Sequence, residues 1–242
     1  MENFVLSHLE PGNVFRFFEE LSRIPRESGH TDAVSAWVED FARARGLRCR
    51  RDELGNVVIW KDASPGYEGH PAVILQGHTD MVCVQSPGTD HDFEKDPLTL
   101  VLDGDWLRAE NTTLGGDDGA AVAMMLALLD DDAIPHPPIE AVFTADEEIG
   151  LLGAAGLDCS DLQGRTLINL DSEDEGVLTV GCAGGARCDL ALSLPLRPAS
   201  GKLCTLELTG LPGGHSGAEI HKNIPNANRV LAQCLQALPD AR

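Results

Sequence analysis

One histidine and several carboxylates stand where apolar runs end, and these are the residues of the chain best suited to chemistry. His78 and Asp80 lie in LQGHTDMV, Asp117 in TLGGDDGAA, Glu147 and Glu148 in VFTADEEIG, and Asp171 in TLINLDSED. Apolar β-type runs that break into His, Asp or Glu carry those side chains to the rim of a sheet. In open α/β sheets ligands bind at that rim, beyond the carboxyl ends of the strands. One imidazole with several carboxylates makes a nitrogen and oxygen donor set of the kind that binds divalent metal. Two adjacent glutamates divide the labour of metal-assisted hydrolysis, one holding metal and the other moving protons.

Each piece alone has a plainer explanation. An H-x-D at a strand end is common, although Asp80 is spaced to accept a hydrogen bond from the second ring nitrogen of a ligating His78. Asp117 and Asp118 precede an apolar helix, where a carboxylate caps the helix and favours its dipole. The functional alternative makes Asp117 a bridge between two metals, with Gly115, Gly116 and Gly119 allowing close backbone approach. Asp146, Glu147 and Glu148 repel one another unless a cation neutralises them. Most of the run Asp171, Glu173, Asp174, Glu175 reads as a solvated loop, and one ligand from it, Asp171, suffices. His215 sits in a glycine-rich GGHSG, a surroundings more often found in surface turns.

The elements that must carry these residues alternate. Helical spacing of Val14, Phe15, Phe18 and Leu21 predicts a helix over 13–23, and a second starts near Thr31 and ends at Gly46. Strands are expected at 56–60, 72–76, 139–144 and 166–170. A hairpin or long loop is expected over 92–108, turning at Asp103-Gly104, and a buried helix over 120–129. Strand and helix in alternation predict an α/β sandwich with a largely parallel sheet. After Gly185, 188–196 and 202–211 alternate with period two, as half-exposed antiparallel strands do. A helix over 226–238 follows. The expected division is 1–186 for the α/β domain and 187–242 for the start of an α+β unit.

A net charge of −21 excludes nucleic acid and anionic membranes as partners, since both need a basic surface. No apolar run reaches the roughly 18 residues of a membrane span, and the first residues do not read as a signal peptide. The seven cysteines are odd in number and never spaced C-x-x-C, which predicts reduced thiols in a cytoplasmic protein rather than a disulfide framework.

Taken in order, H-x-D, G-D-D-G, D-E-E-x-G and L-D-S-E-D are far more specific than any one of them. The chain resembles the M20 family of metallopeptidases. LQGHTDMVC, FTADEEIGLLGA, NLDSEDEGVLTVGCAGG and GLPGGHSGAEIHKNIPNAN look like its bacterial aminoacyl-histidine dipeptidases. The resemblance covers about Leu6 to Leu238. It implies a zinc-exopeptidase-like sandwich with a lid domain, acting on dipeptides, Xaa-His above all. It further implies two divalent ions held by His78, Asp117, Glu148 and Asp171, with Asp117 bridging. Zinc is the expected metal, with cobalt or manganese as alternatives. Asp80 would orient His78, and Glu147 would be the general base. His215, from the lid, would polarise the scissile carbonyl or hold the substrate carboxylate, often in a partner subunit's site, so a homodimer is expected. Asp118 departs from the family, where Asn is frequent. The family's catalytic domain resumes after the lid and carries a last histidine ligand there. The 242 residues are therefore expected to be an N-terminal portion, inactive alone. The alternatives are another M20 aminopeptidase, tripeptidase or deacylase, or an inactive metal-binding chain.

Overall fold

The computed structural model describes residues 4–238 apart from 173–174, 182–183, 185–187, 196–197, 199 and 215–218. They form two units, Met1–Glu175 and Gly176–Arg242. The expected boundary between residues 186 and 187 lies outside the described residues.

The first unit opens with α1 (Gly12–Leu21) and α2 (Asp32–Ala44). Each is amphipathic, and the aromatic rings of the two meet edge to face, Phe17 on Phe41 at 5.4 Å. Such a pair adds about 0.5–1.5 kcal/mol beyond its buried area. Gly46 follows α2 with a left-handed φ of 68°, the helix-ending role its position predicts. Strands β1 (Arg48–Arg51), β2 (Val57–Lys61) and β3 (Val73–His78) come next. The hairpin β4 (Leu100–Asp103) and β5 (Trp106–Ala109) turns at the expected Asp103-Gly104. Then come α3 (Gly116–Asp130), β6 (Ile139–Thr144), the short α4 (Leu152–Gly156) and β7 (Thr166–Asn169).

The central sheet has the order β1-β2-β6-β3-β7. Only β2 runs against the rest, antiparallel to both β1 and β6, while β6, β3 and β7 are mutually parallel. Successive side chains face opposite sides. Val57, Ile59, Ala141 and Phe143 join the main core with α1, α2 and α3, while Val58, Ile74 and Val142 form a smaller cluster with Trp60, Leu157 and Leu162. Burial on both faces is why these strands read as continuous apolar runs.

β1 is a strand that the sequence pattern does not show. RCRR has no apolar alternation. It extends because Asp52 closes the turn, accepting from the N–H groups of Leu54 and Asn56, and β2 offers a free edge. Buried Asn56 then pins the loop after β6. Its Oδ1 accepts from Ala145 N at 3.1 Å and its Nδ2 donates to Gly153 O at 2.9 Å.

In the second unit, a 3₁₀ turn (Ile220–Lys222) precedes α5 (Ala227–Ala237), capped by Asn226 Oδ1 accepting from Arg229 N. The strands expected over 188–196 and 202–211 do not form among the described residues. The period-two alternation is present, but Leu190, Leu192 and Leu194 are exposed. Alternation marks a strand only where a ladder partner and a covering layer exist, and two short strands alone are marginal.

Replacing Asn56 with Ala leaves the Ala145 N–H and the Gly153 carbonyl unpaired in the interior. Denaturant unfolding is expected to show a loss of about 1–3 kcal/mol, and an unchanged midpoint would contradict the pinning role.

Candidate metal centre

Register brings the rim together. Along the parallel ladders His78 faces Thr144 and Gln76 faces Asn169. The segments that leave β3, β6 and β7, which carry Asp80, Glu147 with Glu148, and Asp171, therefore start at one level. α3 packs against β3 and adds Asp117 and Asp118 at its first turn. Both aspartates depart from helical dihedrals, and the peptide between them is cis.

His78 is 1% exposed and lies between carboxylates. Its Nε2 is 2.9 Å from Asp117 Oδ1 and 3.9 Å from Asp171 Oδ2. Its Nδ1 is 3.1 Å from the Asp80 carbonyl oxygen and 3.3 Å from Asp80 Oδ1. The Asp80 carboxylate is fully buried and ties the site together. It accepts from Glu147 N at 3.0 Å, Glu148 N at 3.2 Å and Ser28 Oγ at 2.7 Å. Asp80 thus holds the backbone of the glutamate pair while facing the imidazole.

Two sets of donor atoms lie within 4.8 Å of one another, His78 with Asp118 and Asp171, and His78 with Glu147 and Glu148. These are N/O groups that could hold a divalent metal. Asp117 touches His78, yet the compact triad with Asp171 takes Asp118 instead. Asp118 is buried, and its Oδ2 accepts from His78 N at 3.0 Å. His215 lies outside the described residues.

The charges reflect this crowding. Burial disfavours the His78 imidazolium, but Asp80, Asp118 and Asp117 outweigh it and hold His78 up to about 9. Burial also opposes the Asp80 carboxylate, but hydrogen bonds from His78, Glu147 N and Ser28 bring it down to about 2. Asp118 is pushed up to about 7 by burial, opposed by His78 and reinforced by Asp171 and Asp117. Burial raises Glu147 and Glu148 as well, with neighbouring carboxylates adding to it.

Three supporting residues carry no sequence signal. Asp118 sits where a helix cap is the ordinary explanation. Ser28 lies 52 positions from the carboxylate it holds. Buried Arg26 stands alone in IPRESG. Gly77 is likewise specific to its place, because a Cβ there would lie 2.7 Å from Asp118 Oδ2 and 3.0 Å from Ala121 Cβ. The absence of a side chain lets α3 and its aspartate reach the strand.

No family model matches the chain. Relatives do. The chain is 41% identical over 232 residues to the cytosol non-specific dipeptidase of Escherichia coli strain K12, covering 95% of this chain and 48% of the relative. The crystal structure of aminoacylhistidine dipeptidase from Vibrio alginolyticus superposes with a TM-score of 0.74 at 38% identity, over 96% of this chain and 48% of that one. A tripeptidase structure from Staphylococcus aureus gives 0.56 at 26% identity, over 67% of this chain and 43% of that one. In sequence and in α/β fold the chain is similar to these peptidases. It belongs to the M20 peptidase family. It spans about half the length of the curated dipeptidase it matches. Among the described residues no helix is long and apolar enough to cross a membrane.

The crowding has a pH signature in the ion-free chain. His78, raised from 6.5 to about 9, adds stability that is fully present below pH 6.5 and lost as pH rises through 9. Asp118, raised from 3.8 to about 7, favours the fold while protonated and loses that as pH rises through 7. Asp80 acts oppositely, its stabilisation present above 3.8 and lost as pH falls through 2. Thermal melts are expected to fall between pH 5 and pH 9 without divalent ions. An added divalent ion should remove most of that slope. A flat ion-free profile would contradict the charge balance.

Proposed function

We propose that this chain carries metal and proton-transfer groups of a dipeptidase that hydrolyses Xaa-His and carnosine-type dipeptides. His78, Asp117, Glu148 and Asp171 would hold two divalent ions, zinc being the best match to a thiolate-free N/O donor set, with cobalt and manganese as alternatives. The observation that carries the reading is that one fully buried carboxylate, Asp80, both faces His78 and holds the Glu147 and Glu148 amides. The donor set fits divalent ions: one imidazole and several carboxylates within 4.8 Å, with more negative charge than the protein compensates. When bound, such ions supply Lewis acidity to the scissile carbonyl and to water.

The chain's own groups do the rest. With a divalent ion held, Asp80 would accept from His78 Nδ1–H and leave the Nε2 lone pair for the ion. Glu147 is raised above the ordinary carboxylate range by burial, which makes it a stronger proton acceptor. It takes the proton of water as the water oxygen bonds to the carbonyl carbon. It returns the proton to the amine nitrogen as the C–N bond breaks. His215 is assigned to the substrate, polarising the carbonyl or holding its carboxylate, within a lid that begins near residue 187. We assign the whole protein to the cytoplasm, in line with the cytosolic name of the Escherichia coli relative, and, from the family resemblance alone, to a homodimer.

Glu147→Gln in the protein is expected to lower kcat on Xaa-His dipeptides by roughly 10²–10⁴ while metal content stays the same. Retained turnover would remove Glu147 as the base. Parallel assays on tripeptides and N-acyl amino acids decide the substrate class, and a clear preference for either would replace the dipeptidase reading.

A further inference from the structure

The segment between α1 and α2 has no part in the chemistry described above, yet it touches three of the four segments that build the site. Met81 N donates to Arg26 O at 3.1 Å, and Glu27 pairs with Met81 as an isolated parallel bridge. Ser28 Oγ donates to Asp80 Oδ2, and Gly29 N donates to Asp146 Oδ1, both at 2.7 Å. Arg26 does more than its neighbours. Its side chain is among the largest that are fully buried. Its Nη1 donates to Thr79 O at 3.0 Å and to Asp80 O at 3.2 Å, and its Nη2 donates to Gly115 O at 2.5 Å.

We propose that Arg26 is the positioning residue of the acidic site, its guanidinium setting the distance between the His78–Asp80 loop and the entry to α3 that bears Asp117 and Asp118. The planar fork suits this, because one group reaches carbonyls on two segments in fixed geometry. The glycines around it make the space. A Cβ on Gly115 would lie 2.3 Å from Nη2, and one on Gly119 would lie 2.8 Å from it. These glycines therefore admit an arginine, where the sequence pattern pointed to close approach of a metal. Burial lowers Arg26 only to about 10, so it is a cation at neutral pH, set beneath Asp80, Asp118 and Asp117.

The metal readout of the test rests on the metal-centre reading, and a second readout does not. Arg26→Met and Arg26→Lys are compared with Lys61→Met. Lys61 is a buried lysine that donates to the Leu128, Leu129 and Asp131 carbonyls at the far end of α3. Co²⁺ titration of the chain, followed by its visible spectrum, is expected to show affinity falling roughly 10- to 100-fold in both Arg26 variants, as for outer-shell partners of metal ligands. Lys61→Met should keep wild-type affinity and spectrum. In the ion-free chain, the Glu147 and Glu148 amides held by Asp80 are expected to exchange about tenfold faster in the Arg26 variants, with β2 and β6 amides unchanged. Arg26→Lys retains a buried cation and serves where Arg26→Met does not fold. Unchanged exchange at Glu147 and Glu148 would overturn the proposal, as would equal losses in Lys61→Met. Accelerated exchange in a chain that takes up no Co²⁺ would uphold Arg26 and overturn the metal reading.

Discussion

Six carboxylates and an imidazole crowd one rim of the sheet, and charge is the constraint that the rest of the structure answers. A buried carboxylate is tolerated only when its lone pairs are taken up by donors. Asp80 meets this condition with a hydroxyl, two backbone amides and an imidazole. Because those donors come from the α1–α2 connection, the loop after β6 and the end of β3, satisfying one carboxylate fixes three segments. Asp118 is not satisfied to the same extent, and its carboxyl rises to about 7. The protein thus stabilises one acid fully and leaves others short of positive charge, as a cation-binding site requires.

The framework under these loops is rigid. β3, β6 and β7 carry the site from parallel, paired strands, and α3 packs its first turn onto β3. Gly77 permits the approach, and Asn56 pins both ends of the turn that presents Glu147 and Glu148. Groups placed on loops but tied to strands keep the precision that chemistry needs while remaining reachable at the sheet edge. The α1–α2 connection works as a strap beneath them. It sets the Arg26 cation among the acids, so geometry and electrostatics act through the same side chain.

Strand 139–144 was legible because it is buried on both faces and stands out as an apolar run, while 166–170 stands out as an apolar run although β7 itself is exposed; the last residues of both reach the rim. α1, α2 and the Asp103-Gly104 hairpin were legible from spacing and turn chemistry. β1 was not, because Arg48–Arg51 owes its strand to a partner edge rather than to its own pattern. The alternation over 188–196 and 202–211 illustrates the converse, since a correct period without a ladder partner leaves no strand among the described residues.

The sequence by itself determined which residues could do chemistry, because residue type and position at the end of an apolar run are local properties. It also determined the family, through the order of its motifs. Only the tertiary structure decided who holds whom. Ser28, Arg26 and Asp118 act across 40 to 89 positions of chain, and hydrogen bonds between distant segments leave no periodic trace in sequence. The same holds for the glycines of TLGGDDGAA. Their spacing announced a close approach, and only the packed structure named the guanidinium of Arg26 as the group that approaches.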